Sequence, residues 1–160
     1  MKDKVGGELS IEKTLALIKP DGVQRGLAGT VLSRFEQKGL KLVALKMLHV
    51  SGDLAAKHYS AHTERPFYKD LVSFITSSPL IALVLEGPKA VESVRAIMGV
   101  TNPLEAQPGT IRGDLGLDIE HNIIHGSDSP ESADYEIGLF FRAEEVLEYS
   151  RDMDKWVIGP

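Results

Sequence analysis

The sequence contains no cysteine. That excludes a disulfide scaffold, a thiolate zinc site, an iron–sulfur centre and a cysteine nucleophile, and it fits a reducing compartment. Long hydrophobic runs are also missing. The longest uninterrupted apolar stretch, Leu80–Leu85, has six residues, against the roughly 20 that a membrane-spanning helix needs. Residues Met1–Glu8 lack the apolar core of a secretory signal, so no membrane association and a cytoplasmic location are expected. Positive charge is in short supply: 18 Lys and Arg against 23 Asp and Glu leave a formal net charge of −5. A broad basic face for nucleic acid is therefore not expected, although a local cationic pocket is allowed. What is present is a chain of 160 residues, 42% of them hydrophobic. This suits one domain with a core that needs no crosslink.

No internal repeat, low-complexity tract or linker interrupts the chain. Residues 1–12, charged and with two glycines, predict a loose N-terminal arm, and residues 13–160 a single domain. Thr14–Lys19 reads as a strand stopped by the turn Pro20-Asp21-Gly22. Leu27, Val31, Leu32 and Phe35 have helical spacing, and Gly39 ends that helix. Leu40–Val50 predicts a half-buried strand. Ser51-Gly52-Asp53 caps a short helix running to Tyr59, and a second helix after Pro66 is expected to bury Phe67, Leu71, Phe74 and Ile75. Leu80–Leu85 suits a central strand buried on both faces. A helix over Lys89–Met98, a functional loop from Gly99 to about Leu117, and a short strand over Asn122–His125 follow. Ser129-Pro130-Glu131 then starts a last helix, with Ala133, Ile137, Phe140 and Phe141 inward. This order matches the ferredoxin-like split βαβ pattern of the α+β class, an antiparallel sheet with helices packed over one side.

The most informative segment is Asn122–Glu131. It places the imidazole of His125 at a strand end, beside Gly126 and one turn before a helix N-terminus. Backbone N–H groups and the helix dipole attract phosphate there, so a neutral imidazole could act as a phosphate-accepting nucleophile. Glu136 on the following helix could fix its tautomer. The competing reading is a structural histidine before a capped helix. Metal binding is a further alternative, because His121 and His125 are four apart, as are His58 and His62. A strand would separate the first pair by roughly 13 Å, and the second pair has no third ligand nearby in sequence. Lys19 at a strand exit, Arg95 at a helix end with Thr101 just beyond it, and Arg112 at a helix start could hold phosphate. Each could equally be a solvated surface charge. Walker-type, dinucleotide-binding and serine-hydrolase signatures are absent.

Read together, Thr14–Gly22, Arg65-Pro66-Phe67, Thr101-Asn102-Pro103, Pro108–Asp114 and Asn122–Ser129 resemble the motifs of nucleoside diphosphate kinase, in order and over about Thr14–Trp156. The resemblance implies transfer of the γ-phosphoryl group from a nucleoside triphosphate to a nucleoside diphosphate. It implies two half-reactions through a phosphohistidine at His125, with Glu136 as the orienting carboxylate and Lys19 and Tyr59 completing the catalytic set. Lys19, Tyr59, Arg95, Thr101 and Arg112 would contact the phosphates, and Lys19 and Asn122 the sugar hydroxyl. Phe67 would stack on the base, with Leu71 and Ile119 beside it, and broad base tolerance follows from stacking without edge-reading amides. Magnesium would arrive on the nucleotide phosphates, with no protein metal site. The family assembles as hexamers or tetramers, and the C-terminal extension after Trp156 is similar to the hexameric type. One departure is His121, where many members carry arginine. Two other classes stay open: a non-catalytic scaffold of this fold, and an RNA-recognition module, which would need exposed strand aromatics that Leu15–Ile18 does not offer.

Overall fold

The structure, a computed structural model, describes residues 9–159. Its centre is a four-stranded antiparallel sheet in the order β2-β3-β1-β4. Strand β1 (Ile11–Ile18) pairs along its whole length with β3 (Leu80–Pro88), from Ile11 opposite Pro88 to Ile18 opposite Ile81. On its other side β1 pairs with the short β4 (Ile124–Gly126), and β2 (Lys41–Leu48) lies outside β3 with a bulge between Leu42 and Ala44. β1 starts at Ile11, inside the stretch expected to be a loose arm. There Glu12 Oε1 accepts a hydrogen bond from Val91 N at 3.0 Å. Leu9 and Ser10 of that stretch are exposed and belong to no element, and residues 1–8 lie outside the described residues.

The alternation of β1 explains the layers. Ala16 and Ile18 point into one cluster with Val31 and Phe35 of α2 (Ala28–Lys38) and Val94 and Met98 of α5 (Ala90–Met98). Leu15 and Leu17 point the other way. They meet Ala55 of α3 (Gly52–His58), Ile75 of α4 (Tyr68–Ile75) and Phe140 of α7 (Pro130–Phe140). The split βαβ antiparallel sheet is as expected, but helices cover both of its faces rather than one. Successive strand residues face opposite sides, and both sets here are apolar. Each face therefore needs a cover: β1 and β3 are buried on both faces, whereas Leu45 and Met47 of the edge strand β2 stay exposed. β3 is the central strand its composition predicted, with Ala82–Leu85 buried.

Local chemistry sets the boundaries. Gly39 takes φ 105°, a left-handed conformation that ends α2 with Leu40 N donating to Phe35 O. Ser51, Thr110 and Ser129 cap α3, α6 (Ile111–Leu115) and α7 by accepting from Leu54, Gly113 and Ser132 amides. Two further corrections concern the surroundings of the site. In α4 the buried residue is Ile75, with Val72 packed on the same core, whereas Phe67 is 47% exposed and Leu71 lines a cleft. That helix edges a cavity instead of lying flat on the sheet. β4 begins at Ile124, two residues later than expected, because Ile123 has φ 75° and cannot continue a strand. His121 and His125 thus do not share a strand. A short helix, α1 (Pro20–Gln24), follows β1 directly, and α8 (Asp154–Val157) lies near the C-terminus. No helix among the described residues is long and apolar enough to cross a membrane.

Candidate active site

One end of the sheet opens into a cleft of about 550 Å³. The end of β1 brings Lys19 to it, the end of α3 brings His58 and Tyr59, and α4 brings Leu71. Across from them stand Arg95 on α5, Thr101 in the following loop and Arg112 on α6. Asn122, His125 and Glu136 complete the wall. Residues distant in sequence therefore converge because the ends of β1 and β4 are neighbours in the sheet. Phe67 and Ile119, 47% and 52% exposed, stand outside the residues that wall the cleft.

His125 lies opposite Leu17 on β4, so the sheet fixes its backbone. Its Nε2 is 2.9 Å from Glu136 Oε1, and Ser127 Oγ donates to Glu136 Oε2. Burial alone would raise the pKa of Glu136. The His125 hydrogen bond, the Ser127 hydroxyl and the nearby imidazoles outweigh it and hold the carboxyl below its usual range. An ionised carboxylate only accepts hydrogen bonds, so Nε2 carries a ring proton, which in the neutral imidazole leaves the lone pair on Nδ1. Gly126, next to His125, has no room for a side chain: a Cβ there would lie 2.5 Å from Met98 Sδ.

The cations are held in different ways. Lys19, 8% exposed, donates through Nζ to Asn122 Oδ1, and Asn122 Nδ2 donates to Thr101 O at 2.9 Å. Burial lowers the Lys19 pKa to about 8, a fall limited by Asp21 and assisted by Arg112. Arg112 donates to the carbonyls of Gly99, Asn122 and Ile124. Three of its five N–H groups are thereby used and two remain for a ligand. Its pKa falls to about 10 through burial and then Arg95. Arg95 pairs with Asp128 at 2.7 Å on the more open side. Burial, helped by Glu136, pushes Tyr59 up to about 12, so its hydroxyl is a donor at neutral pH. An anion with several oxygens would meet lysine, arginine and phenol donors here at once.

Four contributors escaped the sequence reading. The sequence offers His58 only as a metal partner of His62, yet it sits edge-on against His125, ring centroids 4.7 Å apart at 83°. Its side chain is 1% exposed, and burial lowers its pKa to about 3, with His125 adding to the fall. The signal was available: His58 follows the buried Ala55 by three, which puts both on the inner face of α3. Ser127 and Asp128 lie inside the histidine motif but had no assigned role. Asp21 accepts from Ile123 N at 2.9 Å and so supports a positive-φ residue between Asn122 and Ile124. No local pattern announces that contact, which spans 102 positions.

Comparison with known proteins places the chain in a family. The family model described as nucleoside diphosphate kinase matches residues 12–146. A nucleoside diphosphate kinase of Thermomicrobium roseum is 56% identical over 149 residues, covering 93% of this chain and 100% of the relative. One from Gloeobacter violaceus is 59% identical over 147 residues, covering 92% and 99%. Among solved structures, a halophilic nucleoside diphosphate kinase from Halobacterium salinarum in complex with CDP superposes with a TM-score of 0.90 at 48% identity, covering 92% of this chain and 99% of that one. A transition-state mimic of the Borrelia burgdorferi nucleoside diphosphate kinase with bound vanadate and ADP gives 0.85 at 42% identity, covering 91% and 96%. With the fold, the histidine motif and relatives spanning nearly the whole chain in agreement, the protein belongs to the nucleoside diphosphate kinase family, phosphotransferases that act between nucleoside triphosphates and diphosphates.

Proposed function

We propose that the chain transfers the γ-phosphoryl group of a nucleoside triphosphate, typically ATP, to nucleoside diphosphates in a ping-pong cycle through phosphorylated His125. The observation that carries this is the pairing of His125 Nε2 with Glu136 Oε1 at 2.9 Å beside a cleft rich in cationic donors. Nδ1 attacks the γ-phosphorus, a nitrogen–phosphorus bond forms, and the bond from phosphorus to the β–γ bridging oxygen breaks. The diphosphate leaves with that electron pair. A terminal oxygen of a second diphosphate then attacks the same phosphorus and releases His125. Glu136 stabilises the charge that develops on the ring, held in place by Ser127.

Phosphoryl transfer asks the protein mainly for positioning and charge stabilisation. Lys19, Tyr59, Arg95, Thr101 and Arg112 take the phosphates, and Lys19 with Asn122 reaches the sugar hydroxyl. Phe67 stacks on the base at the exposed mouth, flanked by Leu71 and Ile119, with broad tolerance for base identity. Mg²⁺ enters as part of the nucleotide substrate. The cleft's donors suit a metal-bound polyphosphate better than a resident hard cation, which would need several oxygen ligands. The CDP, ADP and vanadate held by the two solved relatives support a nucleotide in this cleft. We further infer a cytoplasmic homo-oligomer of single-domain chains, hexameric rather than tetrameric, whose mass light scattering would measure.

The test is incubation with γ-labelled ATP. Acid-labile, base-stable label on one histidine is expected in the wild type and none in His125→Ala. Equal labelling of the variant, or none of the wild type, refutes the reading.

A further inference from the structure

We propose that His58, His125 and Glu136, brought together in the wall of the cleft from α3, β4 and α7, form an inhibitory binding site for a borderline transition-metal ion such as Zn²⁺. One ligand atom from each residue lies within 4.8 Å of the others. Glu136 Oε1 is 2.9 Å from His125 Nε2 and 3.7 Å from His58 Nδ1. A tetrahedral ion with bonds of about 2.0–2.2 Å sets neighbouring ligand atoms roughly 3.4 Å apart. The two Glu136 distances bracket that separation. The two imidazole nitrogens lie within 4.8 Å of each other, so closing the triangle asks them to approach by at most about 1.4 Å.

The second observation is the state of His58. Its side chain is 1% exposed, yet neither Nδ1 nor Nε2 has a hydrogen-bond partner. Buried polar atoms are rarely left unpaired, because such an atom has given up water without a replacement partner. The rings of Tyr59, His125 and Phe140 fix the imidazole in place, with Nδ1 toward Glu136. A metal ion would satisfy this nitrogen without moving it far. The rest of the centre is also provided: Ser127 Oγ already orients the carboxylate through Oε2, so that Oε1 faces the two imidazoles. All three ligands line the cleft, which supplies an entry path and room for a water in the fourth position. Two imidazoles and one carboxylate suit zinc and its first-row neighbours, whereas Mg²⁺ prefers an all-oxygen shell.

Binding moves the proton of His125 from Nε2 to Nδ1, so the ring stays neutral while Nε2 takes the metal. The proton on Nδ1 occupies the lone pair that attack requires, and Glu136, held by the metal, can no longer compensate the charge developing during attack. This inhibitory consequence rests on His125 being the nucleophile, whereas the binding itself does not.

The experiment uses the full chain, treated with chelator and then titrated with Zn²⁺ or Co²⁺ without nucleotide. One ion per chain is expected, with the intense visible absorption of tetrahedral Co²⁺. His58→Phe keeps an aromatic ring and should lose more than the roughly 10- to 100-fold that removal of an outer partner costs. His62→Ala should bind like the wild type. In the wild type, Zn²⁺ but not Mg²⁺ should protect His58 and His125 from carbethoxylation, a readout that does not depend on a variant folding. Zinc filling the site should also abolish phosphohistidine labelling. A pale octahedral Co²⁺ spectrum, unchanged affinity in folded His58→Phe, absence of protection, or full labelling with the site filled would each overturn the proposal. A protein that never labels even without zinc would refute the kinase reading alone and leave the titration to decide this one.

Discussion

Asp21 Oδ2 accepts a hydrogen bond from Ile123 N at 2.9 Å, and Lys19 N donates to Ile123 O at 2.8 Å. The turn after β1 therefore grips both polar groups of Ile123, a fully buried β-branched residue held at φ 75°. Such a conformation costs on the order of 1–3 kcal/mol and persists only where its surroundings enforce it. Arg112 adds to the grip by binding the carbonyls of Asn122 and Ile124. The outcome is a chain reversal that aims Asn122 and His125 into the same cleft.

Asp21→Ala removes this support and leaves the Ile123 amide buried without its acceptor, a loss of about 1–3 kcal/mol. The expected result is a melting temperature lower by several degrees and a fall in kcat/KM of more than tenfold. Asp21→Asn retains an acceptor, so it should lose less of both. Thermal denaturation and steady-state kinetics on the two variants check this, and equal effects would remove the hydrogen bond from the explanation.

Lys19 makes nucleotide binding pH-dependent. With its pKa lowered to about 8 by burial, the side chain loses its charge between neutral pH and pH 9. Bound phosphate favours the charged form, so binding near pH 8 should take up a proton, and KM should rise by up to tenfold per pH unit above it. In the nucleotide-free chain the sign is opposite. The unfolded state holds this proton up to about 10.5, so Lys19 contributes increasing stability as pH rises from about 8 toward 10.5. Calorimetry in buffers of different ionisation enthalpy would measure the uptake. Asp21→Asn, by removing the charge that limits the shift, should move the midpoint lower.

Ser127→Ala tests the support of the nucleophile. The Ser127 hydroxyl donates to a charged carboxylate, an interaction of about 1.5–3 kcal/mol. If it holds Glu136 for catalysis, pre-steady-state labelling of His125 should slow by roughly 10- to 100-fold while nucleotide affinity barely changes. A matching loss of affinity would mean that Ser127 shapes the cleft instead.

His58 should show itself in acid. Its pKa is about 3 in the folded chain against an ordinary 6.5, so the unfolded state binds a proton that the native state refuses. Stability is lost as pH falls from about 6.5 toward 3, at up to about 1.4 kcal/mol per pH unit. Denaturant titrations of wild type and His58→Phe at pH 7 and pH 5 should diverge by that slope. Parallel curves would place the charge-bearing group elsewhere.

The strands and helices were largely legible from local patterns. Alternation or continuous burial marked β1, β2 and β3, and capping residues marked α3 and α7. The surroundings of the cleft were less legible for identifiable reasons. Phe67, Leu71 and Phe74 carry the spacing of a packed helix face, but a residue beside a cleft and one beneath a sheet can have the same spacing. The run Asn122–His125 reads as β-branched strand, and only contacts from Asp21, Lys19 and Arg112 turn Ile123 out of it. His58 carried a metal-like spacing with His62, yet its close partners lie on β4 and α7.

By itself the sequence determined the chemistry available: no thiol, a net negative charge, a histidine motif before a capped helix, and an apolar pattern that forces a layered sheet. Those properties depend on residue identity and short-range spacing, which the chain carries whether folded or not. Tertiary structure alone decided that both sheet faces would be covered, which nitrogen of His125 would meet Glu136, and that His58 would stand unpaired behind them. Each of these depends on distances between segments up to about a hundred residues apart, and such distances exist only once β1 has paired with β3 and β4.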